Sequence, residues 1–174
     1  MKRRIVFLML VGLFTMLFIS ACSDGNLIAA QDKNLQLELV FSRSVYSSNE
    51  PIECKAILSY IGAEDSFDFY SGKPIVMFSI GGSQFFNGKT DLLQKGLYSF
   101  TIQKDAPLEY PFSKYKGTHL NTDKDAIDFW NKFLAKDELL LEPGDYKIFA
   151  QVSYALTPGD TSSTITVSKT ITVK

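Results

Sequence analysis

The chain has 174 residues, 18 Lys and Arg against 19 Asp and Glu, and one histidine. A net charge of −1 with no basic cluster argues against nucleic acid as a partner. A single imidazole excludes metal sites built from several histidines and the HExxH helix of metalloproteases.

Lys2, Arg3 and Arg4 precede an uncharged apolar stretch of 17 residues, Ile5 to Ala21. This is the basic n-region and apolar h-region of an export signal. By length it also lies at the short edge of a membrane-spanning helix. The next residues favour a cleaved leader, because Ile19-Ser20-Ala21-Cys22 resembles the lipobox of bacterial lipoproteins, with Ile19 where Leu is commonest. That resemblance implies cleavage between Ala21 and Cys22 and a diacylglyceryl group on the Cys22 thiol. It also implies an extracytoplasmic domain anchored to the bacterial cell membrane. An ordinary secretory cleavage site followed by a chance cysteine is the alternative.

The chain beyond such a cut has 153 residues, with 15 basic against 19 acidic side chains. This is enough for one domain with a sizeable core and hardly enough for two. Lipidation of Cys22 would leave Cys54 without a partner for an internal disulfide. Cys54 lies in the alternation Ile52, Cys54, Ala56, Leu58, Tyr60, which reads as a small buried hydrophobe rather than a reactive thiol.

From Cys22 to Asn34 the composition is mostly small and polar, and the expectation is a flexible tether ahead of a domain spanning 35–174. Leu35, Leu37, Leu39 and Phe41 then alternate with Gln36, Glu38 and Val40, the period of a half-buried strand. The turn Asn49-Glu50-Pro51 leads into a second such run, Ile52 to Tyr60. Short runs follow at 66–70 and 75–80, and Gly81-Gly82-Ser83 predicts a tight turn into Gln84-Phe85-Phe86. Another strand is expected over 97–103.

The stretch 104–122 has no period and reads as a long ordered loop. Thr122-Asp123-Lys124-Asp125 resembles a helix start, and Ala126, Phe129, Trp130, Phe133 and Leu134 form an apolar stripe at helical spacing, predicting one helix over about 122–136. Strands at 139–141, 145–155 and 163–173 complete the pattern.

Short strands separated by turns, with one inserted helix, predict a mainly β chain: an immunoglobulin-like antiparallel β-sandwich preceded by a signal helix. Leu141-Glu142-Pro143-Gly144-Asp145-Tyr146 has the form of a tyrosine corner, with Ile148 at the position that antibody domains give to cysteine. The segments Glu50-Pro51-Ile52-Glu53, Leu58-Ser59-Tyr60-Ile61-Gly62, Asp128-Phe129-Trp130-Asn131-Lys132-Phe133 and Pro143-Gly144-Asp145-Tyr146 resemble uncharacterised lipoproteins of Bacillota over most of the mature chain. At fold level the Glu-Pro strand and the Pro-Gly turn are similar to BsuPI-type proteinase-inhibitor domains. The first resemblance implies no activity; the second implies inhibition of a protease.

No Gly-x-Ser-x-Gly elbow is present, and Asn87-Gly88-Lys89-Thr90 lacks the glycine of a phosphate loop, having Ser83 in its place. Asp123, Asp125 and Asp128 suit a helix start better than an EF-hand. His119 lies in a polar loop and reads as exposed. No cofactor or metal is called for. Tyr110, Phe112, Tyr115 and Trp130 fall outside the clearest alternations. They form either core packing or a recognition patch at one end of the sandwich.

The expectation is a non-catalytic binding or structural module at the cell envelope. Its partners would be the membrane, through the lipid on Cys22, and an envelope protein or cell-wall polymer. A proteinase inhibitor using the 104–122 segment, or a small extracellular hydrolase, are the alternatives.

Overall fold

The computed structural model describes residues 26–83, 86–87, 96–114 and 124–174. The expected signal segment with Ala21 and Cys22, and Tyr115, His119 and Asp123, lie outside them. In chain order the strands are β1 (Leu27–Gln31), β2 (Leu35–Phe41), β3 (Val45–Tyr46), β4 (Cys54–Tyr60), β5 (Ser66–Ser83), β6 (Phe86–Asn87), β7 (Tyr98–Gln103) and β8 (Leu108–Pro111). The helix α1 (Lys124–Ala135) comes next, then β9 (Gly144–Ala155) and β10 (Ser163–Val173). Two sheets result. One has the order β1-β2-β4-β8 and the other β3-β10-β9-β5-β6, with β7 also on β5.

Strict alternation explains both sheets. β2 buries Leu35, Leu37, Leu39 and Phe41, while β4 buries Cys54, Ala56, Leu58 and Tyr60. Facing them, β9 buries Tyr146, Ile148, Ala150, Val152 and Tyr154, and β10 buries Ile165, Val167, Ile171 and Val173. These side chains form a single core between the sheets. Fully burying one leucine contributes about 1.5–3 kcal/mol, so the leucines of β2 alone anchor their strand. Among the described strands the ladders are antiparallel except β3 with β10, where Val45 and Tyr46 run parallel to Thr172 and Val173, and a single isolated bridge, Tyr60 with Lys104, is also parallel.

Several expected boundaries move. The tether read as running to Asn34 is folded from Leu27, because β1 pairs along its whole length with β2, from Leu27 opposite Val40 to Gln31 opposite Gln36. Asp32 closes that hairpin: its Oδ1 accepts the backbone N–H groups of Asn34 (2.8 Å) and Leu35 (2.9 Å), an Asx turn. The runs at 66–70 and 75–80 form one strand. Its ladder to β9 shifts between Ser71 and Val76, and Pro74, joined to Lys73 by a cis bond, sits in that gap, where no ladder N–H is needed.

The turn expected at Gly81-Gly82-Ser83 is displaced, since Gly81 and Ser83 still pair with Asn87 and Phe86. Gly82 is required for a different reason. Its φ is +119°, and a Cβ there would lie 2.4 Å from the Asp145 carbonyl oxygen, so only glycine lets β5 pass the start of β9.

Part of the loop expected at 104–122 is strand β8, which pairs with β4 and places Tyr110 opposite Ala56. The stretch 139–141 forms no strand. Leu139 and Leu141 are buried, but the backbone bond shown there joins Ile52 N–H to the Leu139 carbonyl at 2.9 Å.

Candidate binding cleft

The β registers define two ends of the molecule. At one end lie Phe41, Cys54 and Pro111; at the other lie Leu35, Tyr60 and Leu108. A cleft of about 530 Å³ opens at the first end, within the range of small-molecule and side-chain pockets. Its apolar lining comes from the end of β2 (Phe41), the segment entering β4 (Ile52) and its first residue (Cys54), the segment after β8 (Phe112) and the stretch after α1 (Leu139). Glu53, Asp137 and Glu138 stand around it with Lys55, whose ammonium is paired with Glu109 at 2.8 Å on an exposed surface. Carboxylates therefore dominate the rim.

Cys54 gives the cleft no nucleophile. Burial pushes its thiol up to about 12, so at neutral pH it is a protonated apolar group. Among the described residues, no group of three or more His, Cys, Asp and Glu could hold a metal ion. No helix among them is long and apolar enough to cross a membrane.

Of the aromatic residues singled out from sequence, Tyr110, Phe112 and Trp130 pack against the core, and Tyr115 lies outside the described residues. Tyr110 is half-buried on β8 and packs against the core, and burial raises its hydroxyl above the ordinary value of 10.0. Phe112 lines the cleft with its ring 5.1 Å from Phe78, and its N–H donates to the Cys54 carbonyl at 2.9 Å. Trp130 lies on α1, half-buried, edge-on to Phe86 at 5.4 Å. Phe129 and Phe133 meet the same ring edge-on at 5.1 and 5.2 Å, an arrangement that favours the aromatic quadrupoles. Phe86 thus forms the socket in which the helix docks.

The helix is fixed at its C-terminal end by a residue the sequence left unassigned. Lys114 Nζ donates to the carbonyls of Phe133 (2.6 Å) and Lys136 (2.9 Å). A cation among the open carbonyls of a helix end satisfies them and complements the helix dipole. It also ties the chain just past the cleft-lining Phe112 to α1. The wall formed by Ile52, Cys54 and Leu139 was equally invisible in the sequence, because four separate segments converge on it; the one local hint was Pro111-Phe112 following an alternating Leu108 and Tyr110.

Two contacts brace the sheets together. At the end opposite the cleft, Tyr154 on β9 donates to Asp32 Oδ2 at 2.5 Å. At the cleft end, Lys169 on β10 donates to Asn26 Oδ1 at 3.2 Å. The expected tyrosine corner is present, with the Tyr146 hydroxyl donating to the Glu142 carbonyl at 3.0 Å.

Comparison with family models, with curated proteins and with solved structures returned no match.

Proposed function

We propose that this chain is a bacterial lipoprotein, anchored through Cys22 outside the cytoplasmic membrane, whose sandwich is a non-catalytic module that binds a protein segment in its end cleft. The cleft carries this reading. Its apolar floor of Phe41, Ile52, Phe112 and Leu139 suits a protein side chain better than a polyhydroxylated polymer, and its acidic rim favours a basic flank. The protonated state of Cys54 supports binding over covalent chemistry.

An immunoglobulin-like assignment is supported by the strand order and by the Tyr146 bond at the start of the penultimate strand, the place of the tyrosine corner in that fold. The proteinase-inhibitor reading loses ground, because residues 108–111 of its candidate loop are held in a ladder with β4.

Two experiments test the proposal. Globomycin should make a larger unprocessed precursor accumulate, and an unchanged product size refutes the anchor. A photo-crosslinking residue in place of Glu138 should capture an envelope protein in living cells, whereas one in place of the exposed Thr166 on β10 should not. Equal capture from both positions, or none from Glu138, refutes the cleft as the binding site.

A further inference from the structure

Asn26 fixes where the chain enters the fold. Its carbonyl accepts the Phe41 N–H at 3.0 Å, and its side chain donates to the Ser42 carbonyl at 3.5 Å and accepts from Ser44 at 2.9 Å and Lys169 at 3.2 Å. Beside this latch, along the edge that β1 and β3 leave open, three apolar side chains are exposed: Leu27 on the outer side of β1 is 45% exposed, Ile28 on its inner side 37% and Val45 on β3 47%. Arg43 stands between the latched Ser42 and Ser44, paired with Glu50 at 2.8 Å on an open surface. Such an exposed pair is weak and its guanidinium exchanges readily with other anions.

Covalent geometry turns this latch into a distance limit. Four residue steps separate Cys22 from Asn26, and at about 3.6 Å each they reach about 14 Å when fully extended. A headgroup layer is about 5–8 Å thick on each face of a bilayer, so a lipid on Cys22 uses much of that reach before the chain leaves it. The folded β1 leaves no slack beyond Asn26.

We propose that the corner formed by Leu27, Ile28 and Val45 is a membrane-contact face, seated on the headgroup layer of the same bilayer that holds the anchor. This rests on the proposed lipidation of Cys22. Leu27 and Ile28 enter the interface as apolar contacts, and Arg43 meets lipid phosphate. With Glu50 and Glu53 nearby, the face does not depend on a strongly anionic membrane. The cleft opens at this same end, so its ligand is met close to the membrane.

The test uses the full lipidated chain in vesicles of phosphatidylethanolamine and phosphatidylglycerol. Ile28→Cys, Val45→Cys and, at the opposite end, Glu64→Cys are each labelled with an environment-sensitive fluorophore, Cys54 being buried. Headgroup spin-labelled lipid should quench positions 28 and 45 several-fold more than position 64. Equal quenching at all three, with mass spectrometry showing acylated Cys22, overturns the contact face alone. An unacylated Cys22 overturns the anchor and the face together. Energy transfer between copies labelled at position 28, without lipid quenching, overturns the face in favour of a second copy pairing along β1.

Discussion

Asp32 and Tyr154 join the hairpin of one sheet to the central strand of the other, and the bond depends on the charge of one partner and the proton of the other. Burial opposes ionisation of Asp32, but the Leu35 N–H, the Tyr154 hydroxyl, the Asn34 N–H and nearby Lys33 together hold its carboxyl below the ordinary 3.8. The unfolded chain then binds more protons than the folded one between those two values, so stability rises with pH there. The contribution is complete above about 3.8 and is lost as pH falls through the folded value.

Tyr154 works in the opposite sense. Burial first, then its bond to Asp32, push the hydroxyl from 10.0 to about 12; its share is present below 10 and lost as pH rises through about 12. Tyr154→Phe should cost about 1–3 kcal/mol in urea denaturation at pH 7. Asp32→Asn should flatten the acid limb of a stability–pH profile, and an unchanged acid limb would show that the bond is not coupled to folding. Cys54, with its thiol near 12, should resist iodoacetamide at pH 8 in the folded protein and react fully in urea.

Elements differ in how openly the sequence announces them. β2, β4, β9 and β10 declare themselves because each buries one face and leaves the other half-exposed, so polarity alternates with the pleat. β1 does not: Leu27-Ile28-Ala29-Ala30 is apolar on both faces because it is an edge strand whose outward side chains stay exposed. The signal that would have found it is the Asp-Lys-Asn turn between two apolar runs. β8 is hidden similarly, with only Leu108 and Tyr110 half-buried among exposed neighbours.

The helix was legible from its stripe, but its socket was not, since Phe86 lies far away in sequence. Trp130→Ala should cost about 3 kcal/mol and free α1, seen as faster hydrogen exchange over 124–135, whereas Trp130→Phe should keep the helix docked. Gly82→Ala should cost about 1–3 kcal/mol because its methyl meets the Asp145 carbonyl, and a neutral result would mean that β5 can move away from β9.

At the scale of the whole molecule, a two-sheet architecture was readable from alternation, while the position of the candidate cleft was not. The cleft requires that the ends of β2 and β8, the start of β4 and the segment after α1 meet at one end, a consequence of register that no local pattern carries. The same registers put the candidate cleft and the Asn26 latch together and leave the Asp32–Tyr154 brace at the far end.

The short parallel pairing of β3 with β10 has a further consequence. Tyr46 is completed by Val173, so residues near the start of the domain wait for residues near position 174 before their sheet can close. During synthesis the leading part emerges first, and until residue 173 follows β9 offers an open ladder where β10 belongs. The growing chain therefore passes through an interval in which it is long enough to aggregate and too short to finish folding. Deleting residues 171–174 should make that interval permanent, giving a protein that is degraded by proteases even though the cleft residues are all intact.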